Sequence, residues 1–309
     1  MSDLQSPKQI WLLSYKNPLL GRFGAEFFKT IPKTPGVYWM LGEDKRVLYI
    51  GKAKNLQNRL RSYQQVKPDQ SPRRSVRLVH LIADIVWEEC QSEEAALLRE
   101  SYLLRTHRPP YNVLNTHPES YYLVSLKKEN CSLSFRLTTH ALVTDEEDLY
   151  GAFKGRGIVR RGFVALLRLL WAVLAEKTDV RVADAFRYPG VLVRRNTPYA
   201  FSIVMDRSLS QDKREHWHRH VRQFLGGHSK SLLQRLTDEL LEHSEIPPFM
   251  YHFIQEDLET LSEFFKYGPN RNRRLRRFHG LKTNLLPQRE LDDLIIKYRL
   301  RRQKSKKQS

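Results

Sequence analysis

Two strand-like runs lie back to back between residues 36 and 50, and they constrain the fold more than any other stretch. Gly36-Val37-Tyr38-Trp39-Met40-Leu41 and Arg46-Val47-Leu48-Tyr49-Ile50 are rich in aromatic and β-branched residues, which suit a pleated, half-buried surface. Pro35-Gly36 punctuates the start, Gly42-Glu43-Asp44-Lys45 is a polar turn, and a loop covers Gly51 to Lys54. The pair predicts an antiparallel hairpin. With its turn centred between Glu43 and Asp44, Tyr38 is expected opposite Tyr49, at a Cβ separation of roughly 4.5–5.5 Å, with both phenols on one face. Taken alone, such a pair is ordinary cross-strand packing.

The next segments add residues that packing explains less well. Asn55 can cap a helix running to about Tyr63. Leu56, Arg59, Leu60 and Tyr63 share one face of it at i, i+3, i+4 and i+7. The leucines belong to a core, but an arginine is rarely buried without a partner. Its planar fork suits phosphate oxygens, while a surface arginine with its stem laid down is the plainer account. A helix near Val76–Ile82 and a strand at Asp84–Glu89 follow. Ser92 then caps a long helix with Glu93 and Glu94 in its first turn, and Pro109-Pro110 stops it. Glu100 lies on this helix among Ala96, Leu97, Leu103 and Leu104. A carboxylate in an apolar stripe needs a partner. A divalent cation fits, because carboxylate oxygen suits Mg²⁺ or Mn²⁺. An arginine fits equally well. Asn112, just after Pro109-Pro110-Tyr111, can turn its amide toward the same place.

The fold class expected is α/β (α+β): a small mixed or antiparallel sheet flanked by helices, followed by a mostly helical C-terminal region. A short helix at Ala25–Thr30 precedes the sheet. Strands Tyr121–Leu126 and Leu133–Leu137 form a hairpin turned by Lys128-Glu129-Asn130. Helices follow at Val164–Ala175, Asp212–Leu225 and Lys230–Leu241, and Pro247-Pro248 marks a boundary. The expected divisions are a lead-in (1–31), a hairpin-bearing domain (32–125), a middle region of strands then helices (126–245), a basic helical region (246–300) and a disordered basic tail (301–309).

Net charge narrows the partners. The 309 residues carry 53 Lys and Arg against 34 Asp and Glu, a formal net charge of +19. Such a chain attracts polyanions, nucleic acid first and a membrane surface second. From Lys266 to Ser309 there are 15 Lys and Arg against 3 Asp and Glu. Arg271, Arg273, Arg274, Arg276 and Arg277 are candidates for phosphate contact there, as are Lys54 and Arg61 near the hairpin. The longest apolar run, Gly162–Ala175, is interrupted by Arg168 and falls short of the roughly 20 residues that cross a bilayer. No secretory signal is visible at Met1-Ser2-Asp3. The 2 cysteines, Cys90 and Cys131, are in no ligand spacing. His216 and His220 share a helix face with Asp212, but among polar neighbours they read as a solvated surface. Gly155, Gly157 and Gly162 fit no phosphate-loop spacing. A cytoplasmic, nucleoid-associated monomer is the expectation.

Taken in order, Gly36-Val37-Tyr38, Tyr49-Ile50-Gly51-Lys52-Ala53-Lys54-Asn55-Leu56 and Asn58-Arg59-Leu60-Arg61-Ser62-Tyr63 closely resemble the GIY-YIG nuclease family. Leu98-Arg99-Glu100 and Arg108-Pro109-Pro110-Tyr111-Asn112 resemble its UvrC branch, and the resemblance covers residues 32–125. Tyr150-Gly151-Ala152-Phe153 and Phe224-Leu225-Gly226-Gly227-His228-Ser229-Lys230 are similar to later UvrC segments. The resemblance implies a metal-dependent DNA endonuclease that cuts 3′ to a lesion in nucleotide excision repair, on a damaged duplex presented by a UvrB/UvrA complex. It implies Glu100 as ligand of one Mg²⁺ or Mn²⁺ and Tyr49 as general base. Tyr38 and Tyr63 would orient water and phosphate, Arg59 would neutralise phosphoryl charge, Lys52 would assist the tyrosine or touch phosphate, and Asn112 would brace the site. This sequence departs from UvrC in three ways. No cysteine follows Cys131, so no iron–sulfur cluster is expected. No UvrB-binding helical hairpin is evident. No second, RNase H-like nuclease is present, so a single incision is expected. A nuclease of branched or mobile-element DNA is the rival reading. A non-catalytic DNA-binding scaffold is a third, opposed by the intact set of site residues.

Overall fold

A computed structural model describes residues 15–112, 116–141, 147–176, 189–193, 197–243 and 248–308. The chain forms two units that divide between His117 and Pro118.

In the first unit, helix α1 (Pro18–Thr30) starts on Asn17, whose side chain accepts the Leu19 N–H. Gly24, at φ 73°, breaks it midway, so the expected Ala25–Thr30 helix is its second half. Leu19, Phe28 and Ile31 are buried with Tyr38, Leu56 and Leu60. Residues 18–31 are thus part of the first unit's core rather than a lead-in. Strands β1 (Gly36–Leu41), β2 (Val47–Ala53) and β3 (Asp84–Glu89) form an antiparallel sheet in the order β2-β1-β3. Helix α2 (Leu56–Ser62) follows its Asn55 cap. Helix α3 (Arg73–Leu81) starts three residues before the expected Val76, directly after Pro72. Helix α4 (Glu93–His107) is capped by Ser92 and ends at left-handed Arg108 ahead of the two prolines. Tyr38, Met40 and Ala53 face the α1–α3 side, while Val37 and Ile50 face Ala96, Leu103 and Leu104 of α4.

The hairpin register differs from expectation. Tyr38 pairs with Gly51, and Tyr49 pairs with Met40. Lys45 adopts φ 57° within a Gly42–Arg46 turn, and a bulge follows between Met40 and Leu41. The left-handed turn residue and the bulge move the pairing by two residues. An even displacement keeps each side chain on its face, so the two tyrosines are diagonal rather than opposite.

The second unit is built on an antiparallel sheet in the order β6-β4-β5-β7, from β4 (Tyr122–Glu129), β5 (Ser132–Thr138), β6 (Asp148–Phe153) and β7 (Ala200–Val204). Glu129 pairs with Ser132, so the turn is Asn130-Cys131, and Lys128 and Glu129 belong to the ladder. The central strand β4 spans the expected boundary at 125/126, and residues 118–125 therefore lie with the second unit. Helix α5 (Arg156–Leu174) begins eight residues before the expected Val164 and is buried along most of its length. The remaining helices are α6 (Gly190–Val193), α7 (Gln211–Leu225), α8 (Ser231–His243), α9 (Met250–Tyr267), α10 (Pro269–His279) and α11 (Leu291–Gln308). Arg168 inside the apolar run is explained by Asp257 on α9, whose Oδ2 accepts its Nε at 2.7 Å. Residues 301–308 are helical, not the expected disordered tail. Leu291, Leu294 and Ile295 anchor α11, and Arg, Lys and Gln extend a helix already begun at little cost. No described helix is long and apolar enough to cross a membrane.

Candidate active site

The sheet order leaves β2 at an edge, and the edge is where the site assembles. An open edge exposes unpaired N–H and C=O groups, yet four of those on β2 are taken. Leu48 C=O accepts the Tyr111 N–H at 3.0 Å. Ile50 is held twice by Asn112: its N–H donates to Oδ1 at 2.9 Å, and its C=O accepts from Nδ2 at 2.8 Å. The Lys52 N–H donates to Glu100 Oε1 at 3.1 Å. Three residues singled out from the sequence thus meet on one strand edge.

On the α2 face of the sheet, Tyr38, Tyr49 and Tyr63 form a triangle with ring centroids 6.1–6.5 Å apart. The Tyr38 and Tyr63 hydroxyls are 2.9 Å apart. Arg59 spans them, donating from Nε to Tyr38 at 3.1 Å and from Nη2 to Tyr63 at 3.2 Å, with its guanidinium 5.0 Å from the Tyr63 ring centre. The glycines of the hairpin permit this packing. A Cβ on Gly51 would collide with the Tyr38 hydroxyl and stand 2.9 Å from Tyr49 Cε1. A Cβ on Gly36 would collide with the Glu88 carbonyl.

The three phenols are not equivalent. Tyr38 is 0% and Tyr63 7% exposed, whereas Tyr49 is half-buried on a cleft of about 280 Å³ whose wall also includes Arg59, Tyr63, Leu78, Arg74 and Tyr111. Burial, then the neighbouring phenols, pushes Tyr38 well above the ordinary phenol range, and burial does the same for Tyr63. Both therefore stay protonated. Burial works against the Arg59 cation, but the phenols of Tyr38 and Tyr63 reverse that and raise its pKa.

Glu100 is half-buried and makes no ion pair among the described residues. The arginine partner weighed from sequence is absent: Arg99, its neighbour, holds Glu88 instead at 2.9 Å. Burial raises the Glu100 pKa, with Lys52 and Arg59 pulling it partly back. Its second oxygen, Oε2, has no hydrogen bond among the described residues. Lys52 sends its side chain to the α4 face, where Nζ is 3.8 Å from Glu93 Oε1. It does not stand beside the tyrosine hydroxyls.

Sequence reasoning missed Arg74 and Tyr111. Arg74 lies 5.7 Å from the Tyr111 ring centre and donates from Nη2 to the Pro110 carbonyl, so it fixes the segment that delivers Asn112. Tyr111 adjoins the asparagine already singled out, and Arg74 starts a basic helix; those were the available signals.

The expected DNA-contacting arginines divide. Lys54, Arg274 and Arg277 are exposed. Arg61 donates to Phe28 O at 3.3 Å. Arg273 is half-buried. Arg276 is buried and donates to Gly226 O and Asn284 O, at 2.6 and 3.2 Å, so it is committed to backbone and not available to phosphate. Burial, then Arg299, lowers Arg271 to about 10, and its guanidinium turns to Asn272 at 3.3 Å. It too is a structural residue. His216 and His220 meet at 2.8 Å, and no group of three metal-binding side chains occurs among the described residues.

Residues 34–113 match the model of the UvrC-like GIY-YIG domain. UvrABC system protein C from Porphyromonas gingivalis is 32% identical over 152 residues, covering 49% of this chain and 24% of that protein. The Synechococcus protein of that name is 35% identical over 224 residues, covering 70% of this chain and 34% of its own length. The matches to these curated relatives thus span between 24% and 34% of their length. A solved GIY-YIG N-terminal endonuclease domain of UvrC from Thermotoga maritima, bound to its catalytic divalent cation magnesium, is 32% identical. That match covers 28% of this chain and 93% of that one, with a TM-score of 0.26. The hairpin, its tyrosines and the matched residues define a GIY-YIG domain. More narrowly, residues 34–113 are a GIY-YIG domain of the UvrC-like type.

Proposed function

We propose that this chain is a metal-dependent DNA endonuclease that hydrolyses one phosphodiester at the Tyr49–Arg59 cleft. The observation that carries this reading is Glu100: a half-buried carboxylate without an ion pair, brought to the same strand edge as the tyrosine–arginine cluster. Its unused Oε2 and raised pKa fit a hard divalent cation, Mg²⁺ or Mn²⁺. Such an ion would supply Lewis-acid stabilisation of charge at the phosphate.

The protein's own groups do the positioning. Tyr49 is the solvent-facing phenol of the three and serves as general base in its phenolate form, taking a proton from the attacking water and returning to the phenol. Tyr38 and Tyr63, kept protonated by burial, hold the Arg59 fork rigid. Arg59 Nη1, which has no hydrogen-bond partner among the described residues, is left to neutralise phosphoryl charge. Asn112 holds the strand bearing Tyr49, and Arg74 holds the segment bearing Asn112. With two rigid supports the reacting groups need little reorganisation, which is where most of the catalytic advantage in phosphodiester cleavage arises.

The finer reading is a 3′ incision beside damaged DNA in nucleotide excision repair, on a duplex delivered by UvrA and UvrB. The UvrABC system relatives and the UvrC-like domain support it. The test is a lesion-bearing duplex incubated with Mg²⁺, with and without UvrA and UvrB, with the cut mapped. A 3′ cut that needs both proteins is expected. Cleavage of branched DNA without them would replace this role with the rival one. Glu100→Gln should abolish nicking while duplex binding persists, and nicking retained in that variant would remove Glu100 as the metal ligand.

A further inference from the structure

Two segments similar to UvrC, Tyr150–Phe153 and Phe224–Lys230, have no part in the tyrosine cleft. In the second unit they converge with α7 and with Asn284 around a pocket of about 380 Å³. Tyr150, His218, Arg219, Arg222, His228 and Asn284 line it.

The pocket is held by buried polar contacts. The committed fork of Arg276 ties the Gly226 carbonyl to that of Asn284. Asn272, fully buried, donates to Ala152 O at 2.8 Å and anchors the strand bearing Tyr150. Gly227, at φ 75°, lies against the Pro269 carbonyl where a side chain would collide, and a Cβ on Gly226 would stand 2.8 Å from His228 Cδ2. The basic segment read from sequence as a phosphate-binding surface therefore acts partly from beneath, as the frame of this pocket.

The lining favours an anion. Arg222 Nε is paired with Asp148 at 2.7 Å and its guanidinium also hydrogen-bonds Tyr150, which together fix its plane in the pocket wall. Arg219 is exposed and has no ion pair among the described residues. The one acid in the wall, Glu215, is already paired with Lys128. Burial and then the arginines at 222 (for His218) and 273 (for His228) lower both histidines, so near neutrality each ring can donate an N–H without adding charge. The volume exceeds a bare phosphate and falls within the roughly 300–1,000 Å³ of small-molecule sites.

We propose that this pocket seats one nucleotide of a DNA strand, its phosphate ester held by Arg219 and Arg222 with His228 and Asn284 beside it. The choice of a strand over a free nucleotide rests on the endonuclease reading; the anion site does not. The test is fluorescence anisotropy of the full chain with a labelled duplex in EDTA, where cleavage chemistry plays no part. Arg219→Ala combined with His228→Ala should weaken binding by about threefold to tenfold and flatten the salt slope by about 0.9, the loss of one phosphate contact. Lys213→Ala removes the same charge from α7 outside the pocket and should change affinity by less than about twofold. Circular dichroism and thermal melting of each variant establish that the fold is intact. Unchanged duplex affinity in the double variant, or an equal loss in Lys213→Ala, would overturn the proposal. So would thymidine 5′-monophosphate binding that depends on Arg219 while duplex affinity stays put. None of these results bears on whether Glu100→Gln stops nicking, so the two readings fail separately.

Discussion

Asn112→Ala isolates the contribution of the strand edge. Asn112 makes two hydrogen bonds to one residue, at 2.9 and 2.8 Å, and Ile50 itself is 0% exposed. At a net 0.5–1.5 kcal/mol each, their loss costs about 1–3 kcal/mol, toward the upper end because neither backbone group is easily rehydrated. For a loss of about 2 kcal/mol and a urea slope near 2 kcal/mol/M, the unfolding midpoint of the first unit falls by about 1 M. Hydrogen exchange of the β2 peptide resolves this locally, because the Ile50 amide loses its acceptor while the α5 core does not change. Asn112→Asp sharpens the test. A carboxylate still accepts the Ile50 N–H but sets a second oxygen against the Ile50 carbonyl. At neutral pH it should be no better than alanine, and on acidification the protonated acid can donate and recover stability that is lost again as pH rises. An unfolding free energy within about 0.5 kcal/mol of wild type for Asn112→Ala, or an aspartate variant as stable as wild type at neutral pH, would refute the reasoning.

Other perturbations follow from the same geometry. Gly51→Ala drives a methyl into the Tyr38 and Tyr49 rings; a urea titration should show a loss of about 1–3 kcal/mol, with nicking falling further because Tyr49 is displaced. Arg59→Lys can reach only one of the two hydroxyls now bridged, so kcat should fall by about a hundredfold, the order expected for one preorganised charge stabiliser, with thermal melting little changed. Glu100 has a raised folded pKa, so its contribution to stability is fully present below the unfolded carboxylate pKa and is lost as pH rises through the folded value. In metal-free buffer Glu100→Gln should therefore melt no lower than wild type at neutral pH, the comparison turning toward wild type below the ordinary carboxylate range. Added Mg²⁺ should raise the wild-type melting temperature alone, as read by differential scanning calorimetry.

Much of the first unit was legible because its signals are local. Asn55 and Ser92 cap helices through their own side chains, Pro109-Pro110 ends one, and strand β3 falls on the expected Asp84–Glu89. The hairpin register was not legible, since it depends on Lys45 adopting a left-handed conformation and on a bulge that no alternation pattern encodes. That Arg59 and Tyr63 share a face followed from helical spacing; that Tyr38 on β1 meets them was implied only by the family resemblance. Glu100 was marked by its apolar neighbours, but what its oxygen bonds, the Lys52 N–H, is a contact across 48 positions. Arg276 shows the opposite failure. In sequence it is one of five similar arginines, and only tertiary structure makes it a buried strut between Gly226 and Asn284. The Arg301–Gln308 segment lacks apolar residues, yet helix propagation from the packed start of α11 outweighs that deficit.

The stitching of β2 by residues 100, 111 and 112 also has a temporal consequence. During synthesis the hairpin and its tyrosines emerge first, with their outer edge unpaired and no cation ligand in place. Asn112, the Pro110 carbonyl that Arg74 grips, and the Tyr111 ring that walls the cleft arrive some sixty residues later. A nascent chain or an early truncation product therefore holds the conspicuous motif without the residues that complete the candidate site. On the proposed reading, cleavage waits until the domain is complete.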